Sequence, residues 1–340
     1  MKKAVSITMA IFLLLLAAFL VVVLVLGIQG RMFSFNGNWM KLRHTEAISL
    51  GNQDTLKIDV RSYSVVIKKV GATEEPRIEV YSLPWGNFAS NEVEIASGDN
   101  TLSIKQTSSF TFSFLGGSYR QLRLYLPEGW QGTLLAEQGS GSLSLNDNFD
   151  LNKLTATVQS GSIRVENVTV KEDAVLSSNS GSIRANSLTA KNISVKASSG
   201  SIRVETAVAN TIDVYASSGS IHMGTVNGQF SLQSSSGSIS VDAGNGGGSV
   251  RANSGSVRVY MNEVTNDLSL SAGSGSVRLN LPSNIGFSFE GQTGSGSLKT
   301  DFDSSLSYNG RNYASGQVGN GGPSIQCTAG SGSVHVELGI

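Results

Sequence analysis

What is scarce narrows the possibilities before any motif is sought. A single cysteine, Cys327, permits no internal disulfide. Five prolines and 15 % charged residues in 340 positions fit neither a charged disordered tail nor an ordinary helical enzyme. The 25 Lys and Arg balance 25 Asp and Glu, so no global charge draws the chain to nucleic acid or to an anionic membrane surface. Histidine occurs three times, as His44, His222 and His335, which leaves little room for imidazole chemistry. Beyond residue 28 there is no amphipathic helical periodicity, whereas a phosphate-binding loop needs a glycine-rich turn that runs into a helix. What the chain has instead is glycine, 39 residues of it, together with abundant serine, as in repetitive β proteins.

The one long apolar run, Ala4 to Ile28, holds 25 consecutive uncharged positions, enough to cross a hydrocarbon core of about 30 Å as a helix. A cleaved secretory signal has a shorter run and a small-x-small cleavage site, but this run ends in "LGIQGRMF". Residues 1–28 therefore read as an uncleaved signal-anchor and 29–44 as a juxtamembrane linker. Arg31, Lys41 and Arg43 compete with Lys2 and Lys3 in setting the orientation, while the three-residue tail before the helix favours translocating the rest. The expectation is a single-pass cell-membrane protein with an extracytoplasmic C-terminal part.

Most of that part is one repeat. Ser-Gly-Ser occurs ten times, with central glycines at 141, 161, 181, 200, 219, 237, 255, 275, 296 and 332. The spacings are 18 to 21 residues, except for a final 36 that reads as two periods with one degenerate corner. Two and four residues after each glycine stand mostly branched aliphatics, such as Ile202 and Val204. Seven and five before it stand pairs such as Ile193 with Val195 and Ile325 with Cys327, and three before it small residues such as Ala197. This period-two alternation is that of strands with one buried face. Its parity flips at Ser-Gly-Ser, so the chain turns there and glycine supplies the backbone freedom of a corner. Carrying the upstream parity into the corner points the first serine, Ser199 for example, inward.

A coil of about 19 residues cannot recover its ordering entropy alone, so coils must stack about 4.8 Å apart. The fold class expected is all-β, a single-stranded parallel β-solenoid (β-helix) with Ser-Gly-Ser corners, preceded by one transmembrane helix. Eleven rungs would make a stack about 50 Å long. Regular repeats occupy 136–340. Residues 45–135 hold less regular coils, with strands at "TLKIDV", "SVVIKK", "RIEVYS", "NTLSIKQ" and "QLRLYL", and Ser62-Tyr63-Ser64 reads as a corner with tyrosine in place of glycine.

The serines are poor nucleophile candidates: ten copies share at most two histidines, and a triad needs base and orienting group together. "AGNGGGSVR", residues 243–251, lacks the aspartate of calcium-binding repeats and reads as a shortened turn. No catalytic, cofactor-binding or metal-ligating residue is assigned. The main surface feature lies three residues after the glycines: Arg164, Arg184, Arg203, His222, Ser240, Arg258, Arg278, Lys299 and His335. Its six Arg and Lys could bind an anionic envelope polymer. Against that stand five acids two positions further on, Glu166, Glu205, Asp242, Asp301 and Glu337, which would make a self-neutralised salt-bridge ladder, the simpler reading. Two aromatic insertions, 81–88 and 108–119, bring Trp85, Phe88, Phe110, Phe112 and Phe114, suited either to a protein partner or to capping an open solenoid end.

With "DTLKIDV" at the start, "SGDNTLSI" (97–104), "LRLYLPEGW" (123–130) leading into the repeats and "SGSVHVEL" (331–338) at the end, residues 45–340 resemble the bacterial "putative adhesin" family, also described as the LiaG-like or toastrack domain. Members often carry Asp or Asn after the glycine, where this chain has serine at every full corner. The resemblance implies a β-solenoid outside the membrane, often encoded near envelope-stress systems and without established catalytic residues. The function expected is a membrane-anchored, non-enzymatic adhesin, scaffold or stress-associated binding surface. The alternative is a carbohydrate-active β-helix enzyme, lyase or hydrolase, using clustered acids.

Overall fold

The computed structural model describes residues 40–51, 53–71, 73–83, 92–107 and 119–339. The expected membrane helix and the aromatics Trp85, Phe88, Phe110, Phe112 and Phe114 lie outside them. Among the described residues no helix is long and apolar enough to cross a membrane. The chain divides into two compact units, Met1–Lys41 with Leu83–Trp85, and Leu42–Ser82 with Gly86–Ile340; only the second has described elements of any length. The first strand among the described residues is Lys41–Ala47, which overlaps the segment read as a linker to residue 44.

Each coil sends one strand into the Ser-Gly-Ser corner and one out of it, and parallel pairing stacks these into an entering face and a leaving face. Ile193 pairs with Ala174 on one side and Ile212 on the other, while Ile202 lies between Ile183 and Ile221. The alternation read from sequence therefore holds in three dimensions. Ile193, Val195 and Ala197 from the entering strand meet Ile202, Val204 and Ala207 from the leaving strand, all at most 1 % exposed. Burying each large aliphatic contributes about 1.5–3 kcal/mol, and only adjoining coils keep water from the strand edges.

Among the described residues twelve rungs are present rather than eleven, and their order is not that of the sequence. The entering strands run Thr101–Gln106, Thr55–Val60, Thr133–Ser140, Lys153–Ser160, Asp173–Ser178 and Asn192–Ala197. Next come the latter parts of the continuous strands Ile202–Ala216, Ile221–Ser234, Ile239–Ala252 and Val257–Ala272, then Ser324–Ala329, and last Phe287–Thr293. Both terminal coils are thus inserted one rung in from an end. The leaving strands agree: Ser64–Val70 lies between Arg120–Pro127 and Leu143–Leu151, and Val334–Leu338 between Val277–Leu281 and Leu298–Thr300.

The 36-residue spacing hides no degenerate corner. It contains a 3-10 turn, Asp303–Ser305, and a hairpin of Leu306–Asn309 with Tyr313–Val318. The second hairpin strand pairs antiparallel with Phe287–Thr293 and covers the last entering strand. At the opposite end Val93–Ser97 and Arg77–Ser82 pair antiparallel with Thr101–Gln106 and Arg120–Pro127. Covering a terminal strand in this way blocks edge-to-edge pairing. Phe302 packs edge-on against Phe287 and Phe289 at 5.2 and 5.3 Å, filling the hairpin end of the core.

The corner itself corrects two expectations. Ser199 is exposed, as are Ser160, Ser180 and Ser218, and the inward position is the one occupied by Ala197. The bend spreads over several residues, so strand parity does not pass through it. Glycine is needed for close approach more than for backbone freedom, since Gly141 alone among the corner glycines has positive φ, at 116°. A Cβ on Gly200 would lie inside 3.0 Å of the carbonyl oxygen of Gly181, and the same holds from rung to rung, through Gly332 on Gly275 to Gly296 on Gly332. A Cβ on Gly141 would meet Tyr63 in the same way, so Ser62-Tyr63-Ser64 is the tyrosine corner its pattern suggested. The Tyr63 hydroxyl donates to Glu92 Oε2 at 2.9 Å, and Arg120 Nη1 to the same oxygen at 2.5 Å, with all three residues buried. Burial first, then the Glu92 carboxylate, pushes the Tyr63 phenol well above its usual range.

Candidate functional site

The corner's second serine forms a ladder that sequence reasoning missed. Its hydroxyl accepts the backbone N–H of the equivalent serine one rung away: Ser201 to Ser182 Oγ at 3.3 Å, Ser276 to Ser256 Oγ at 3.2 Å, Ser333 to Ser276 Oγ at 3.2 Å and Ser297 to Ser333 Oγ at 3.2 Å. A hydroxyl has two acceptor lone pairs and one proton. The accepting serines therefore satisfy a backbone donor, and all but Ser333, whose Oγ lies 3.4 Å from Ser297 Oγ, keep a proton to offer outward. The signal was present, since serine follows every corner glycine, but its meaning needed the neighbouring rung.

Two residues further on, strand alternation again points side chains outward and stacks the cations in register. Arg164, Arg184, Arg203, His222, Ser240, Arg258 and Arg278 follow one another along the leaving face. The inserted last coil then places His335 between Arg278 and Lys299, reversing their order in the chain. Of the five acids expected to neutralise this column, Glu205, Asp242 and Glu337 lie against Arg203, His222 and His335, while Glu166 and Asp301 bond to neutral groups instead. Arg203 pairs with Glu205, whose carboxyl it holds below the usual range. Glu166 accepts from Asn186, Glu337 from Asn280 at 2.7 Å while lying 3.2 Å from His335, and Asp301 from the Leu338 N–H at 3.2 Å. Among the described residues Arg164, Arg184, Arg258, Arg278 and Lys299 have no carboxylate within 4.0 Å.

At the hairpin end of the stack the serine and cation columns border a surface groove of about 310 Å³, with Arg258, Arg278, His335 and Lys299 along it. A second groove, of about 480 Å³, crosses the entering face where Gly248 contributes no side chain, with Asp213 and Asp267 among its lining. The glycines of "AGNGGGSVR" mark the bend opposite the Ser-Gly-Ser corner within the continuous strand Ile239–Ala252. There Gly246 and Gly248 adopt φ of 130° and 137°, and a Cβ on Gly246 would collide with Gly228 of the adjoining rung.

One arrangement has the residue types of a hydrolase. His222 Nδ1 lies 2.8 Å from Ser240 Oγ, and its Nε2 lies 3.4 Å from Asp242 Oδ2. The strand backbone around Ser240 is paired to rungs on both sides, which leaves its N–H groups unavailable as an oxyanion hole. Among the described residues no group of three or more His, Cys, Asp or Glu is placed to hold a metal ion.

Such a stack of short coils with outward ladders has a match in a known family over residues 53–243 and 176–337. The chain belongs to the Toastrack DUF4097 family. No curated protein matches this Toastrack chain. Among solved structures it is similar to a "putative adhesin" from Bacteroides fragilis NCTC 9343, with 14 % identity, TM-score 0.34, and 88 % of this chain and 97 % of that one covered. A "putative lipid binding protein" from Parabacteroides distasonis ATCC 8503 gives 18 % identity, TM-score 0.39, and 88 % and 97 % coverage. A "putative cell adhesion protein" from Clostridium sporogenes ATCC 15579 gives 12 %, 0.22, and 88 % and 100 %.

Proposed function

We propose that this Toastrack protein is a non-enzymatic adhesin or scaffold of the cell envelope, or an envelope-stress-associated binding surface, anchored by residues 1–28 with its solenoid outside the membrane. The observation that supports binding is the in-register outward column on the leaving face, in which Arg164, Arg184, Arg258, Arg278 and Lys299 have no carboxylate within 4.0 Å among the described residues. Charged side chains held at regular intervals on a rigid sheet suit contact with an extended partner, whether envelope polymer or surface protein. The apolar run Ala4–Ile28 supports the anchor.

The alternative, a carbohydrate-active enzyme, has one observation in its favour, the Ser240–His222–Asp242 contacts. Incubating the full chain with envelope glycans separates the two readings. Inert substrates are expected; sustained cleavage that is lost in Ser240→Ala would replace the binding reading with the enzymatic one. Protease added to intact cells should remove the repeats, and full protection in cells stripped of their wall would refute export.

A further inference from the structure

The cations of the leaving face fall into two segments. Arg164, Arg184 and Arg203 lie among Glu166 and Glu205. After His222 and Ser240 interrupt the basic column, Arg258, Arg278, His335 and Lys299 occupy four consecutive rungs along a groove. Here three columns run side by side. Ser256, Ser276, Ser333 and Ser297 form the first; Ser256 and Ser276 keep a hydroxyl proton to donate, while Ser333 and Ser297 share one between their hydroxyls at 3.4 Å. The cations form the second. In the third, Tyr260 and Asn280 beside Arg258 and Arg278 are neutral, whereas Glu337 stands 3.2 Å from His335 and Asp301 follows Lys299, so the uncompensated charge of the groove sits on the two arginines.

We infer that this groove binds a linear acidic polysaccharide carrying one carboxylate per sugar ring, which names the ligand class within the binding reading above and rests on it. Arg258 and Arg278 stand on adjacent rungs ~4.8 Å apart and Lys299 two rungs beyond Arg278, a spacing of the order of the sugar rings along a polymer. Successive rings of a polyuronate turn about the chain axis, and the long Arg and Lys side chains reach those carboxylates that face the groove. Guanidinium groups take carboxylates in a two-pronged, charge-assisted geometry, and a rigid sheet holds them there in advance. The flanking hydroxyl, amide and phenol groups suit sugar hydroxyls, which a chain of phosphodiesters supplies far less densely. The site depends on chain topology: without the inserted last coil, His335 would not bridge Arg278 and Lys299.

The test uses the full chain in nanodiscs of zwitterionic lipid, with labelled oligogalacturonate as probe and neutral dextran and poly(glycerol phosphate) as comparisons. Saturable oligogalacturonate binding that weakens with salt is expected, with no binding of dextran. Arg258→Gln with Arg278→Gln should weaken it about tenfold or more, and Lys299→Gln alone several-fold. Lys191→Gln with Lys196→Gln, which removes two exposed charges away from the leaving face, should leave it within about twofold. Unchanged amide-exchange protection of Val257–Ala272 certifies each variant as folded. Absent binding, an equal loss in the lysine pair, or tighter arginine-dependent binding of poly(glycerol phosphate) would each overturn the assignment. If the groove fails in any of these ways while the protein remains exported and inert towards glycans, the broader reading stands; glycan cleavage would sink that reading itself.

Discussion

Replacing Gly200 by alanine presses on the stack at its tightest point. The added methyl would lie inside 3.0 Å of the Gly181 carbonyl oxygen and 2.7 Å from the Ser182 nitrogen. Both obstacles are backbone, so no side chain can swing aside and the two rungs must part. Overpacking of this kind costs about 1–3 kcal/mol. Parting the rungs also stretches the bonds from the Ser201 N–H to Ser182 Oγ at 3.3 Å and from the Ile183 N–H to the Ser201 carbonyl at 3.0 Å. Each contributes about 0.5–1.5 kcal/mol, which brings the expected loss to about 2–6 kcal/mol. Two controls bracket it. Ser199→Ala alters an exposed side chain next to the same corner and should stay within about 0.5 kcal/mol. At Gly71 a Cβ meets nothing within 4 Å, so Gly71→Ala should be neutral or stabilising by up to about 1 kcal/mol. Denaturant midpoints by far-UV circular dichroism rank the variants. Amide exchange then locates the damage, because each rung touches only its neighbours. A Gly200→Ala protein with the midpoint of Ser199→Ala and full protection in Asp173–Ser178, Ile183–Thr189 and Asn192–Ala197 would refute the close-approach argument.

Arg120→Ala leaves the Glu92 carboxylate buried beneath the tyrosine corner and should cost about 3–5 kcal/mol of stability in the same unfolding experiment; a loss under about 1 kcal/mol would show that the pair is not buried in solution. At Glu79 burial pushes the carboxyl up, but hydrogen bonds from Arg77, Tyr81 and Tyr125 outweigh it and the net value falls below the ordinary one. The folded pKa being the lower, this contribution is complete above the unfolded value of about 4.3 and disappears as pH falls through the folded one. The stability gap between wild type and Glu79→Gln should therefore close in acid, and a gap constant from neutral to acid pH would contradict the assignment. Burial pushes the Cys327 thiol far above its ordinary range, so thiol reagents should modify it only as fast as the protein unfolds; labelling of the native protein at the rate of a free thiol would place that coil outside the core.

Several features were legible because every rung solves the same local problem. Alternating side chains such as Ile202 and Val204 reveal which face is buried, and recurrence at about 19 residues shows that neighbouring coils complete the core. Even Tyr63 could be recognised as a corner, since Val65 and Ile67 follow it at the same offsets as the aliphatics after each glycine. The orientation of Ser199 was not legible, because strand parity is a property of extended backbone and the corner is not extended. Nor was the scarcity of ion pairs along the arginine column. Sequence spacing brings acids near in number, but in space Asp242 and Glu337 lie against the histidines of the column, and Glu166 and Asp301 accept from Asn186 and the Leu338 amide, so only Arg203 among the column's arginines is paired.

The amino-acid sequence by itself determined the solenoid, its corners, its buried columns and the outward cations, all of which follow from short-range periodicity. Tertiary structure decided the order of the rungs. Rungs of nearly equal shape and hydrogen-bonding capacity do not specify their neighbours locally, so only the assembled stack shows that residues 55–70 and 324–338 lie one rung in from the ends. It also shows that antiparallel strands close both ends. The groove of Arg258, Arg278, His335 and Lys299 belongs to this second class, because a coil from the end of the chain must be inserted before its cations stand in line.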